Sequence, residues 1–117
     1  MNIQIYGTNK CFDTKKAQRH FKERGIKFQF VDLSKYGMSK GEYESIRRAL
    51  KCSLEDLVNE KSKAYEKSFI KYLASEQAKE EKLLENQDLF RTPIVRNGKK
   101  ATLGYCPDEW KKWEEEK

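Results

Sequence analysis

Apolar positions recur along the chain with two different periods, and the switches between them set out the elements. The run Ile3-Gln4-Ile5-Tyr6 stops at Gly7 and predicts a short strand over Asn2 to Tyr6. From about Phe12 to Arg24 the composition is helical, with Ala17 and Phe21 four apart on one face and Gly25 placed to close the helix. "IKFQFVDL", Ile26 to Leu33, alternates apolar and polar residues, the period of a second strand. A strand, helix and strand in so short a span imply a right-handed βαβ unit with parallel strands.

The middle reads as helical throughout. Ser39-Lys40-Gly41-Glu42 has the form of a capping box, followed by Tyr43, Ile46 and Leu50 at helical spacing. Ser53 is placed to cap a short turn holding Leu54, Leu57 and Val58. Tyr65, Phe69, Tyr72 and Leu73 form another apolar stripe, and a very polar helix is expected from about Ser75 to Glu85. Then the period returns to two. "TPIVRNGKKATLG" holds two short apolar runs around Asn97-Gly98, a hairpin signal. Pro107, suited to the first helical position, and Asp108-Glu109 open a last helix carrying Trp110 and Trp113 as anchors onto the sheet. The order β-α-β, a helical insertion over about residues 39–88, then β-β-α describes an α/β, thioredoxin-like fold. Its four strands form one mixed sheet in a single domain spanning residues 1–117.

Composition narrows the function. With 37% of residues hydrophobic and 38% charged, the core must be thin and rely on its aromatics. No apolar run is long enough to span a membrane. The net charge of +6 is spread over alternating faces such as "SEQAKEEKLLENQ", and no basic doublet interleaves with stacking aromatics, so direct nucleic-acid binding is not expected. Three cysteines, at positions 11, 52 and 106, make no disulfide framework, and a single histidine offers no metal spacing. A reducing cytoplasm is the expected setting.

The chemistry then turns on Cys11. At a helix N-terminus, unpaired N–H groups and the positive end of the dipole favour a thiolate. Lys10 and Lys15 add positive charge nearby, and Thr14 can donate a hydrogen bond to the sulfur. The bland alternative is a small buried cysteine at the edge of the core. Pro93 follows a polar residue at the start of a late strand, where a cis bond and a position facing the reactive cysteine are expected of this topology. His20 lies about 13 Å along the helix from Cys11 and is expected at the surface, out of reach as its base. Cys52 reads as structural or incidental.

Five segments in order, "YGTNKCFDTKKA", "GIKFQFVDL", "LVNEKSKAYEK", "RTPIVRNGKK" and "LGYCPDEW", make nearly the whole chain resemble the arsenate reductase (ArsC)/Spx family of thioredoxin-like proteins. The resemblance places the family's conserved cysteine on Cys11. Spx-type members often carry a second cysteine where Thr14 stands, so their intramolecular switch is not implied here. Arsenate reductases surround the oxyanion with three arginines, and those positions fall on Lys61, Thr92 and Cys106. Arg91 does not obviously replace them, because neighbouring side chains in an extended segment point to opposite sides. Lys61 keeps the charge without the bidentate fork.

Cys106 is a candidate second thiol, the alternative being an inert cysteine before Pro107. The function implied is glutaredoxin-like thiol–disulfide exchange through Cys11, with no bound cofactor and with glutathione or protein disulfides as partners. Lys61, Arg91, Thr92 and Pro93 would bind the substrate. A true arsenate reductase is the second reading. A regulator that binds RNA polymerase is the third, although a glycine in the polymerase-contacting loop of Spx-type proteins is replaced by Ser53.

Overall fold

The computed structural model describes residues 1–116. Four strands, β1 (Ile3–Gly7), β2 (Phe28–Asp32), β3 (Ile94–Asn97) and β4 (Lys100–Leu103), lie in the order β2-β1-β3-β4. β1 runs parallel to β2 and antiparallel to β3, and β3 runs antiparallel to β4. This is the mixed sheet expected. The connection between β1 and β2 is α1 (Phe12–Glu23). The long stretch between β2 and β3 holds α2 (Lys40–Leu50), α3 (Leu54–Leu57), α4 (Lys63–Ser68) and α5 (Glu76–Glu85), and α6 (Pro107–Glu115) follows β4.

Alternation along the central strands divides the core into two layers. Ile3, Ile5 and Val95 face one side, where Ala17 and Phe21 of α1 and Trp110 and Trp113 of α6 cover them. Tyr6 and Ile94 face the other side, beneath Tyr43, Ile46, Leu54, Leu57 and Leu83 of the helical stretch. Few apolar residues suffice because the rings are used fully. Trp110 is completely buried and donates from Nε1 to Thr102 Oγ1 at 2.8 Å, so its one polar atom is satisfied. A fully buried indole removes on the order of 200 Å² from water, about 5 kcal/mol gross. On the opposite face, Arg96 of β3 donates to Tyr6 Oη and Ser45 Oγ, and Tyr6 donates to Glu42, tying α2 to the sheet.

Local signals account for the element ends. The capping box of Ser39 with Glu42 forms, and Ser53 caps its turn as expected, Asp56 completing a second box there. Gly25, at φ +69°, ends α1 with its N–H on Lys22 C=O and the next N–H, of Ile26, on Phe21 C=O, the paired bonds of a Schellman stop. The hairpin is offset by one residue from the expected pair: Asn97 pairs with Lys100, so Gly98 and Lys99 form the turn, with Gly98 supplying the positive φ.

Two expectations fail. The stripe through Tyr65, Phe69, Tyr72 and Leu73 is not one helix face. Helix α4 ends at Ser68, Phe69 turns into the left-handed region at φ 55°, and a 3-10 turn over Ile70–Tyr72 buries Ile70 while Phe69 and Tyr72 stay exposed. His20 is not free at the surface either. It is half-buried, packed edge-on against Phe21 and Trp110, and burial holds its pKa below the ordinary value. Among the described residues no helix is long and apolar enough to cross a membrane.

Candidate functional site

β1 ends at Gly7, and the turn that follows delivers Cys11 as the N-cap of α1, in extended backbone (φ −90°, ψ 118°). Its thiol donates to the Thr92 carbonyl at 3.6 Å, so the start of α1 and the approach to β3 face each other. The Thr92–Pro93 bond is cis and Pro93 is buried, with its carbonyl held by the Gly104 N–H at 2.8 Å.

Burial pushes the Cys11 thiol up. The Thr14 and Thr92 hydroxyls and the backbone N–H groups of Thr14 and Asp13 outweigh that, leaving the thiol below its ordinary value. Hydrogen-bond donors lead here rather than lysines. Lys10 is exposed, and the Lys15 ammonium sits over the Phe12 ring, 5.7 Å from its centroid, beside a groove on the β2 side of α1. Thr14 is fully buried and its hydroxyl has no partner in the resting geometry, a donor left free for a thiolate. The other two thiols behave oppositely. Burial pushes both Cys52 and Cys106 up, with Asp56 adding to the first and Glu109 to the second.

A cleft of about 620 Å³ opens over Cys11, and Lys61, Arg91 and Thr92 line it together. Arg91 therefore does not turn away. Residues 90–92 are not part of the four-stranded sheet. Phe90 bridges Val58, the Arg91 N–H bonds the Leu57 carbonyl at 2.7 Å, and the guanidinium reaches the Asp56 carbonyl at 3.4 Å. The Asn59 N–H also bonds the Leu89 carbonyl at 2.8 Å, which ties the segment before Lys61 to the same stretch, and Lys61 and Cys11 line one cleft. Cys106 does not line the cleft. Its thiol donates to the Leu103 carbonyl at 3.3 Å and packs against the α1–α6 core layer. All three cysteines are free.

The carboxylates around the cleft had no signal in the sequence. Asp13, Glu55, Asp56 and Glu60 line it alongside the two cationic groups. Lys16 faces Asp13 at 4.0 Å and Lys79 faces Glu55 at 3.6 Å, so the surroundings are close to neutral rather than basic. These acids come from separate elements, and only the fold brings them together. Gly7, in the sequence only the end of a strand, has a second role here. A Cβ there would lie 2.3 Å from Thr14 Oγ1, so this glycine makes room for the hydroxyl beside the thiol. Among the described residues no group of three or more His, Cys, Asp or Glu could hold a metal ion.

Known proteins resemble this chain over nearly its whole length. The chain is 26% identical over 113 residues to Global transcriptional regulator Spx 2 of Oceanobacillus iheyensis, covering 93% of this chain and 81% of that protein. Protein YusI of Bacillus subtilis is 24% identical over 113 residues, covering 94% and 96% respectively. Among solved structures, an arsenate reductase from Vibrio cholerae superposes with a TM-score of 0.83 at 21% identity, over 93% of this chain and 94% of that one, which shows the shared thioredoxin-like fold. The ArsC family model matches residues 6–113, and the chain belongs to the ArsC family.

Proposed function

We propose that Cys11 performs glutaredoxin-like thiol–disulfide exchange. The observation that carries this reading is a thiol with a depressed pKa at the head of α1, opening into a cleft and ringed by donors that favour its thiolate. The thiolate attacks one sulfur of a substrate disulfide, a Cys11 mixed disulfide forms, and the other sulfur leaves as a thiolate. Thr14 and the N–H groups of Asp13 and Thr14 hold the attacking charge, while Lys61, Arg91 and Thr92 contact the substrate. A second thiol, from glutathione or a protein, then attacks the mixed disulfide and restores Cys11. The external thiol leaves joined to the sulfur that Cys11 carried, and a further reductant thiol cleaves that disulfide, so two reductant thiols together give two electrons to the substrate disulfide. Cys106, turned toward the Leu103 carbonyl, is not given the resolving role, which falls to the external thiol. Such chemistry suits a reducing cytoplasm and needs no bound cofactor.

The test is turnover of hydroxyethyl disulfide with glutathione as reductant, comparing the wild type with Cys11→Ser. The wild type is expected to turn over and the variant to be inactive. A wild type no faster than the variant overturns the reading. A second reading has one specific support, the relative named as a global transcriptional regulator. On that reading the chain acts by protein contact with RNA polymerase. Stoichiometric retention of polymerase on the immobilised protein would favour it, and none would remove it.

A further inference from the structure

The cleft over Cys11 does not end at its own walls. Glu55, Val58 and Glu60 line it and also line a second hollow of about 210 Å³, which reaches down to Leu54 and Ile70. Tyr65 and Lys71 in turn belong both to that hollow and to a third of about 150 Å³, flanked by Phe69 and Tyr72. The two rings, 6.3 Å apart, are 64% and 71% exposed. They stand outward because α4 stops at Ser68 and Phe69 takes a left-handed backbone, which is costly for a residue with a side chain. The chain thus spends strain to turn Ile70 in and to leave an aromatic pair in water. Phe12, next to the nucleophile, is 78% exposed as well.

At about 620 Å³ the cleft alone has room for a small thiol conjugate. The hollows and the aromatic pair lie beyond it and have an apolar floor of Leu54 and Ile70. Their rim carries both signs, Glu55 and Glu60 against Lys71 and Lys79, which suits an uncharged segment better than a polyanion. We propose that the substrate is a polypeptide disulfide. Its cysteine sulfur meets Cys11, and an apolar side chain close to that cysteine crosses the Glu55–Glu60 rim into the hollow over Leu54 and Ile70. Phe69 and Tyr72 cover its flank. This rests on the exchange chemistry proposed for Cys11 and names its substrate class.

Single-cysteine peptides carried as mixed disulfides with thionitrobenzoate test it on the whole protein. Attack by the Cys11 thiolate breaks the probe's S–S bond, forms the Cys11–peptide disulfide and expels coloured thionitrobenzoate with the electron pair. The probes are a glycine-flanked peptide, a series with one Phe moved along either side of the cysteine, and the glutathione mixed disulfide, with Cys11→Ser as blank. At least one Phe peptide should transfer on the order of tenfold faster than the glycine peptide, as expected for partly burying one aromatic side chain. In the double variant Phe69→Gly/Tyr72→Ser, which leaves the Leu54 and Ile70 floor in place, that advantage should fall severalfold while the glutathione probe reacts at an unchanged rate. Glycine suits the left-handed backbone and Tyr72 is exposed, so this variant should fold. No Phe advantage in the wild type, or one left undiminished in the variant, overturns the polypeptide assignment and leaves the exchange reading standing. Absence of Cys11-dependent release from every probe overturns both.

Discussion

Thr14 is fully buried, yet its hydroxyl finds no partner, an arrangement that costs about 1–3 kcal/mol in a folded protein. Against the burial that pushes the thiol up, the same hydroxyl leads the donors that favour the Cys11 thiolate. The residue therefore weakens the thiol form of the protein and strengthens the thiolate form. Thr14→Val keeps the shape and removes the donor, and two outcomes should part company. At neutral pH the variant should be as stable as the wild type or about 1 kcal/mol more stable in chemical denaturation. Its iodoacetamide rate should rise at higher pH than in the wild type, because the thiol loses a donor. The pH dependence has a definite sign. A folded pKa below the unfolded one stabilises the fold above the unfolded pKa, and that contribution is lost as pH falls through the folded value. The stability advantage of Thr14→Val should therefore shrink as pH rises toward and past the ordinary thiol range. An unshifted alkylation profile would remove Thr14 from the site.

At the scale of elements, the reactive centre depends on how closely β1 meets α1. A methyl at Gly7 would lie 2.3 Å from Thr14 Oγ1, 2.6 Å from its Cγ2 and 3.0 Å from its Cβ, so Thr14 or the strand must move. Gly7→Ala is expected to cost on the order of 1–3 kcal/mol and to slow alkylation of Cys11 near neutral pH. Adding Thr14→Ala should recover most of the stability without recovering the reactivity, a coupling readable in a double-mutant cycle. Equal costs for Gly7→Ala with and without Thr14 would show that the two do not meet. The sequence carried β1, α1, β2 and the caps plainly, since periodicity and capping chemistry act over a few residues. Contacts such as Gly7 to Thr14 left no such mark. The Tyr65–Leu73 stripe misled because spacing assumes the helix continues, and a left-handed Phe69 breaks it without a glycine to announce the break. Arg91 departs from the alternation rule because that rule applies to sheet strands, whereas Phe90 and Arg91 pair with Val58 and Leu57 at the end of α3.

Across the whole molecule the net charge is +6, which by itself would draw anions. The cleft contradicts the total. Four carboxylates line it with one lysine and one arginine, and the two lysines that face Asp13 and Glu55 stand outside its lining. Screening at physiological salt cuts off exposed charges beyond about 8 Å, so an oxyanion at Cys11 responds to the cleft rather than to the distant surface lysines. Arg91 is present but spends a donor on the Asp56 carbonyl, and the arginine positions that the family resemblance implies hold Lys61, Thr92 and Cys106, the last outside the cleft. Each charge-assisted hydrogen bond missing to a tetrahedral dianion costs about 1.5–3 kcal/mol, roughly one to two decades of affinity. Millimolar arsenate should therefore fail to protect Cys11 from iodoacetamide. Coupled arsenate reduction should be undetectable or very slow under conditions where disulfide exchange proceeds. Protection by arsenate, or robust arsenate turnover, would show that Lys61 and Arg91 suffice as an oxyanion clamp despite the carboxylates around them.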